Sequence, residues 1–317
     1  MKIVQLESLR VSEEKMRELK APFEAEGHEI RVYDRSSAEE QIEQARDADV
    51  IIIGNMPLKR EVLEHCENLK LIDVAFTGID HVDTEFAREH GITVCNAAGY
   101  STSTVAELVI GNTISMLRYV AQNEARCRQG EGAHPALGCE IGAKTVGIVG
   151  FGAIGQRTAE LFHAFGARVL AYLPRDKEIP DYVKKVSLEE LLSQADVVSL
   201  HCPLNPSTRG LIGQKELALM KPTAILVNMA RGGVVDTGAL ARALDGGMIG
   251  GAVVDVFDQE PPLDRAHPLL HTPNTLITPH IAFASEESMV RRADIAYGNL
   301  RAWLDGAPVN VKVQGVR

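Results

Sequence analysis

Two doubly wound α/β domains, each built on a parallel sheet, are the fold class this sequence predicts. Three observations predict it. The 317 residues are too many for one ordinary core and suit two domains. Strand and helix patterns alternate from Lys2 to Asn96, pause, and alternate again from Thr145 to Thr278. A complete G-x-G-x-x-G, Gly150-Phe151-Gly152-Ala153-Ile154-Gly155, opens the second series near mid-chain, so a unit of comparable size precedes it.

In the first series, Lys2–Glu7 reads as a strand and Ser12–Glu26 as a helix with Met16 and Leu19 inward. Strand His28–Tyr33 and helix Ala38–Ala48 lead to Asp49–Gly54 (DVIIIG), a continuous apolar run of the buried parallel type. Helix Arg60–Cys66, strand Leu69–Ala75, helix Thr84–His90 and strand Ile92–Asn96 complete it. Thr102–Gln129 reads as one long helix carrying Val105, Leu108, Val109, Ile114, Met116, Leu117 and Val120. Gln122–Gly142 turns polar and glycine-rich, and fits either an arm on a partner subunit or a surface loop.

The second series begins with the β-branched run at Thr145, the glycine motif, and a helix carrying Ile154, Ala159, Leu161, Phe162 and Phe165. Strand, glycine turn and helix is the setting in which this motif holds a dinucleotide. The first glycine permits the turn, the second admits a pyrophosphate, and the third lets helix and strand pack closely. N–H groups at the helix start then face the phosphates. Strands Arg168–Tyr172, Asp196–Leu200, Ala224–Asn228, Gly251–Phe257 and Asn274–Thr278 follow, making six with the first, as a Rossmann-type domain requires. Helix Ser285–Leu304 has an acidic start, Glu286-Glu287, and a stop at Asp305-Gly306. It is expected to return the chain to the first domain, which would then be discontinuous.

Composition narrows the function. A hydrophobic share of 45% and a charged share of 24% are those of a soluble globular protein. The formal charge of −10 argues against nucleic acid or an anionic membrane as partner. No apolar run approaches the ~18–20 residues of a membrane span, and MKIVQLES lacks the layout of a signal peptide. The cysteines, 66, 95, 127, 139 and 202, are odd in number and scattered, which suits reduced thiols in the cytoplasm. The thinly spread histidines suggest no metal site.

Three loops at strand ends of the second series each offer a chemical group. Arg231 lies in Met229-Ala230-Arg231-Gly232-Gly233, where a guanidinium with space around it could clamp a carboxylate and polarise a carbonyl. Glu260 lies in DVFDQEPP, stiffened by two prolines, and His280 ends TLITPH. Hydride transfer to a keto group needs a proton donor working near neutrality, which histidine supplies, and a carboxylate on the far ring nitrogen would fix its tautomer. Singly, these residues could be a surface ion pair, a solvated acid and a packed loop histidine. Three at the ligand-binding edge of one sheet make coincidence a poor explanation. In the first series, Thr77 and Gly78 follow a strand end, so their backbone N–H groups could hold a carboxylate or merely form a turn.

With these residues in view, the chain resembles the D-2-hydroxyacid dehydrogenase family. The matching segments are AFTGIDHVD (75–83), STVAELV (103–109), the glycine loop (147–155) and LHCPLNPSTRGLI (200–212). VNMARGGVVD (227–236), GAVVDVFDQEPP (251–262) and TPHIA (278–282) complete the set, in the family's order over nearly the whole chain. The resemblance implies a flavodoxin-like substrate domain, expected at 1–98 plus 285–317, with the Rossmann-type NAD(P) domain inserted at 99–284. The domains would meet in a cleft, and cofactor domains would pair in a homodimer. It further implies that Arg231 binds the substrate carboxylate and carbonyl, that His280 is the acid/base and Glu260 its partner, and that Thr77 and Gly78 hold the carboxylate. Thr104, Gly150, Gly152, Ala153, Ile154, Gly155, Pro203, Thr208, Ala230 and Asp255 would line the cofactor groove. A formate dehydrogenase of this family would carry Gln at the place of Glu260, so Glu260 favours hydroxyacid chemistry.

Two departures bear on specificity. Strand Arg168–Tyr172 should lead to an acid that binds the adenosine ribose, but the chain reads Leu173-Pro174-Arg175-Asp176. Leu173 removes the charge that would repel a 2′-phosphate and Arg175 could attract it, which tilts the expectation from NAD toward NADP; Asp176 could restore NAD. Phe76 and Phe283 could wall a pocket for a small acid such as glyoxylate or hydroxypyruvate, stack on an aryl keto acid, or only pack between elements. The expected activity is reduction of small 2-keto acids to D-2-hydroxy acids. The alternatives are 3-phosphoglycerate oxidation, for which no basic cluster is evident, and a dinucleotide-sensing co-repressor-like binding protein.

Overall fold

The computed structural model describes residues 1–174, 177–260 and 262–315. In chain order its strands are β1 (Lys2–Gln5), β2 (Glu29–Val32), β3 (Val50–Ile53), β4 (Leu71–Val74), β5 (Thr93–Asn96) and β6 (Thr145–Val149). There follow β7 (Arg168–Tyr172), β8 (Val183–Lys185), β9 (Val197–Leu200), β10 (Ile225–Asn228), β11 (Gly251–Val254), β12 (Thr275–Ile277) and β13 (Val311–Val313). The chain divides into two compact units: Met1–Ser101 with the segment from Ala284 onward, and Thr102–Phe283.

The first unit holds a sheet of order β13-β5-β4-β3-β1-β2, parallel throughout except where β13 runs antiparallel to β5. The central strands β3 and β4 are buried along their whole length, as a parallel sheet covered on both faces requires. Helix Glu286–Leu304, started by Ser285 with a Ser288 capping box, packs on this sheet. Its Ala293, Ala296, Tyr297, Leu300 and Trp303 share a core with Ile3, Val50, Ile52, Leu71 and Cys95. The helix thus belongs to the first unit. β13 carries no sequence signal of its own: three residues show no period, and pairing with β5 makes them a strand.

The second unit holds a parallel sheet of order β12-β11-β10-β9-β6-β7-β8, reversing direction of growth at β6. Among the described residues seven strands stand where six were expected. The extra one, β8, is a three-residue run of which only Val183 is buried, and it gains its partner only at the sheet edge beside β7.

Residues 102–129 form two helices, Thr102–Leu117 and Val120–Arg128. Tyr119 breaks the run with a left-handed φ of 52°, its ring stacked on His134 at 4.4 Å. The Leu117 carbonyl accepts from the Cys139 N–H instead of continuing the helix. Hydrophobic period is blind to such a stop, since both pieces are helical. Val105, Val109 and Ile110 of the first piece share a core with Val146, Ile148, Ala159 and Phe162, whereas Val120–Arg128 buries none of its residues.

Candidate active site

The glycine turn follows β6. Gly150 has φ 94°, and a Cβ there would lie 2.8 Å from backbone atoms of His201 and Cys202, so the turn admits only glycine. A Cβ on Gly155 would meet the Gly150 carbonyl at 2.2 Å, which fixes the close approach of helix Ala153–Ala164 to the turn. Gly152 is different: a Cβ there would meet nothing within 4 Å. The space over Gly152 and the first-turn N–H groups of Ala153 and Ile154 form an open cradle of the kind a pyrophosphate occupies, so these residues fit a dinucleotide.

Around the turn, Thr208 ties its own loop, its hydroxyl donating to the Pro203 carbonyl at 2.6 Å and accepting from the Asn205 N–H at 2.9 Å. His201 packs against Gly155 and exchanges a hydrogen bond with the Ser199 hydroxyl at 2.9 Å. Burial pushes its imidazole down to about 4, so it is neutral. Thr104 sits half-buried in the first turn of helix Thr102–Leu117.

Leu173, just past β7, is 7% exposed and packs in the core with Val169 and Phe162. No acid stands at its position. Arg175 and Asp176 lie outside the described residues, but Lys177 does not: its ammonium donates to the Phe151 carbonyl inside the glycine turn at 3.3 Å. Lys177 carries no signal in the sequence, because its partner in the glycine turn lies 26 positions away. The more distant cation reaches the turn.

β10, β11 and β12 are neighbours, and each sends a chemical group from its carboxyl end. After β10, Asn228 donates to the Arg231 carbonyl at 3.0 Å and accepts from the Ala230 N–H at 3.1 Å, while Arg231 Nη1 donates to the Ala230 carbonyl at 2.8 Å. Gly232 is required here, since a Cβ would lie 1.9 Å from the Phe257 carbonyl carbon. After β12, His280 adopts a left-handed φ of 53°. Its Nδ1 lies 2.9 Å from Glu260 Oε2, in the loop after β11.

Asp255 makes that strained loop possible. Its Oδ1 accepts from the Thr278 hydroxyl at 2.5 Å and the Ile281 N–H at 2.9 Å, and its Oδ2 accepts from the Ala282 N–H at 2.8 Å. Burial raises the carboxyl from its ordinary value, and those hydrogen bonds oppose the rise. Asp255, which the resemblance assigns to the cofactor groove, is the clamp of the histidine loop. Asn228 and Asp255 in this role escape sequence reading, because a strand-end Asn or Asp looks like any turn residue until its partners are placed. Phe283 meets the His280 ring edge-on at 5.5 Å.

In the first unit, Thr77 and Gly78 follow β4. Phe76 is 4% exposed and packs on Tyr100 at 5.9 Å, so its ring lies in the interior of this unit. The Thr77 hydroxyl is buried without a hydrogen-bond partner among the described residues.

Residues 110–282 match the family model for the D-isomer specific 2-hydroxyacid dehydrogenase NAD-binding domain. This chain belongs to the D-2-hydroxyacid dehydrogenase family. A glycerate dehydrogenase of Methylorubrum extorquens is 39% identical over 296 residues, covering 90% of this chain and 92% of its own. A hydroxypyruvate reductase of Blautia hydrogenotrophica is 37% identical over 295 residues, covering 89% and 91%. Among solved structures, an acyclic imino acid reductase in complex with NADPH and D-Arg superposes with a TM-score of 0.90 at 29% identity, covering 99% of this chain and all of its own. The protein is an NAD(P)-dependent oxidoreductase of this family, and its second unit is the NAD-binding domain.

Proposed function

We propose that the protein reduces small 2-keto acids of the glyoxylate and hydroxypyruvate kind to D-2-hydroxy acids, with NADPH as the preferred donor. The observation that carries the reading is the His280–Glu260 pair at 2.9 Å, on loops from adjacent strands, with the Arg231 loop on the next. The carboxylate accepts a hydrogen bond from Nδ1–H and so leaves Nε2 as the atom that passes a proton to the nascent alkoxide. Arg231 holds the substrate carboxylate and carbonyl and stabilises charge developing on oxygen, a role worth on the order of 3 kcal/mol. Thr77 and Gly78 offer backbone N–H groups to the carboxylate. Bound nicotinamide supplies the hydride.

The names of the glycerate and hydroxypyruvate relatives support a small substrate. Leu173 and Lys177 support NADPH, because an apolar side chain stands where an acid would repel a 2′-phosphate and an ammonium stands beside the turn. A cytoplasmic site is supported by five free thiols. A panel of glyoxylate, hydroxypyruvate, pyruvate, an aryl pyruvate and 3-phosphohydroxypyruvate, each with NADPH and NADH, tests the reading. Highest kcat/KM on a two- or three-carbon acid supports it. Preference for the phosphorylated acid overturns the substrate, and no turnover on any overturns the enzyme in favour of a dinucleotide-dependent binding protein. Replacing His280 with Ala should remove at least about a hundredfold of turnover while NADPH still binds; retained turnover would end the assignment.

A further inference from the structure

The turn that offers Thr77 and Gly78 is held from behind with unusual thoroughness. The Ala97 N–H donates to both the Val74 and Phe76 carbonyls, each at 3.0 Å, and Phe76 N–H donates to Val74 at 2.6 Å. Beyond that point a side chain takes over. Asn96, the last residue of β5, donates its side-chain amide to the Thr77 carbonyl at 2.6 Å.

The Thr77 carbonyl and the Gly78 N–H belong to one planar trans peptide and point in opposite directions. A carbonyl drawn toward Asn96 therefore aims the Gly78 N–H away from it. The hydrogen bond on the oxygen also polarises the peptide and strengthens the opposite N–H as a donor. Neither the Thr77 nor the Gly78 N–H donates to any of the described residues, so both are available to an anion.

Asn96 is itself locked. Its backbone N–H donates to the Asn310 carbonyl at 3.2 Å, and its carbonyl accepts from Asn299 Nδ2 at 3.1 Å. Asn299, on helix Glu286–Leu304, also donates to Asp73 Oδ1 at 2.9 Å and accepts from Asn310 Nδ2 at 2.8 Å. Asp73, Asn96 and Asn299 are all at most 3% exposed. A buried polar cluster is costly beside apolar packing; here it holds Asn96 with its Oδ1 accepting from the Ala98 N–H at 3.4 Å and its amide turned to the Thr77 carbonyl.

We propose that Asn96 is a positioning residue for substrate, its amide aiming the Gly78 N–H at the substrate carboxylate with Asn299 as buried support. The proposal rests on the reading of Thr77 and Gly78 as carboxylate holders. The test uses Asn96→Asp, which keeps the shape but sets an acceptor against the Thr77 carbonyl, and Asn96→Ser, a milder truncation. In both, KM for glyoxylate and hydroxypyruvate should rise about tenfold, the size of one charge-assisted hydrogen bond. Turnover should stay within about threefold and the NADPH dissociation constant, read by fluorescence quenching, within about twofold.

Unchanged KM in a folded variant overturns the proposal. So does parallel loss of KM, kcat, NADPH binding and melting temperature in both variants, which would make Asn96 a structural residue only. The two readings separate cleanly. Wild-type enzyme inert toward every keto acid refutes the function and the inference together. Active wild type with indifferent Asn96 variants refutes the inference alone.

Discussion

Asp73 shows how a single buried group can be read from its surroundings. Burial pushes its carboxyl up to about 7, against the pull of the Asn299 amide. Unfolded, it would titrate near 4. The folded state therefore binds the proton more tightly, so Asp73 costs no stability below the unfolded value. Its cost grows as pH rises toward 7 and is complete above it. Asp73→Asn removes the titration and keeps the acceptor for Asn299. Its melting temperature relative to wild type should improve between pH 5 and pH 8, and a difference independent of pH would contradict this. Lys177 gives a second test at this scale. Lys177→Ala should weaken NADPH by about tenfold, as expected for a lost charge-assisted contact, and NADH by much less. Equal effects on the two would remove Lys177 from cofactor choice.

Among the elements, the loop after β12 carries the proposed acid/base, His280. His280 holds a left-handed backbone that non-glycine residues rarely adopt, and the Asp255 carboxylate holds it there through the Ile281 and Ala282 N–H groups. Asp255→Ala would leave those two donors and the Thr278 hydroxyl without their acceptor. The expected cost is about 2–4 kcal/mol of stability, with a further loss of kcat beyond any loss of NADPH binding. Melting curves and steady-state kinetics on one preparation would check both. Period and propensity located these strands, but they do not tell a loop under strain from a relaxed one. The left-handed φ at His280 follows from tertiary hydrogen bonds. The same limit explains the break at Tyr119, where the stacking on His134 and the Leu117–Cys139 bond come from residues well outside the helix.

At the scale of the whole molecule, the first unit is assembled from both ends of the chain. Helix Glu286–Leu304 supplies Ala293, Ala296, Tyr297, Leu300 and Trp303 to its core. A fragment ending at residue 101 lacks these and should stay unfolded, whereas a fragment of residues 102–283, with its own sheet and two clusters of core, should melt cooperatively. Circular dichroism of the two fragments decides it. The exposed helix Val120–Arg128 and Leu137, 92% exposed, support the proposed homodimer through the second unit. Sedimentation should give about twice the chain mass, and Leu137→Glu should shift the equilibrium toward monomer.

Much of this was legible from residues alone. The glycine turn, the β-α alternation and the segments around Arg231, Glu260 and His280 determine family and fold class, because they are local patterns with local physical causes. A G-x-G-x-x-G between strand and helix needs no distant residue to be recognised, and a buried parallel strand announces itself as an apolar run. What only the tertiary structure decided is which residues stand behind those patterns. Asn96, Asn228 and Asn299 are ordinary polar letters in the sequence, and nothing in it shows Asp255 as a clamp. Each gains its part from a hydrogen bond to a carbonyl, amide or carboxyl that folding brings near, such as the bond from Asn299 to Asp73, 226 positions away. Lys177 likewise meets Phe151 across 26 positions. Apolar burial depends on a residue's own character and can be read along the chain. A hydrogen bond depends on a partner's direction to within a fraction of an ångström, and that is fixed only when the chain has closed on itself.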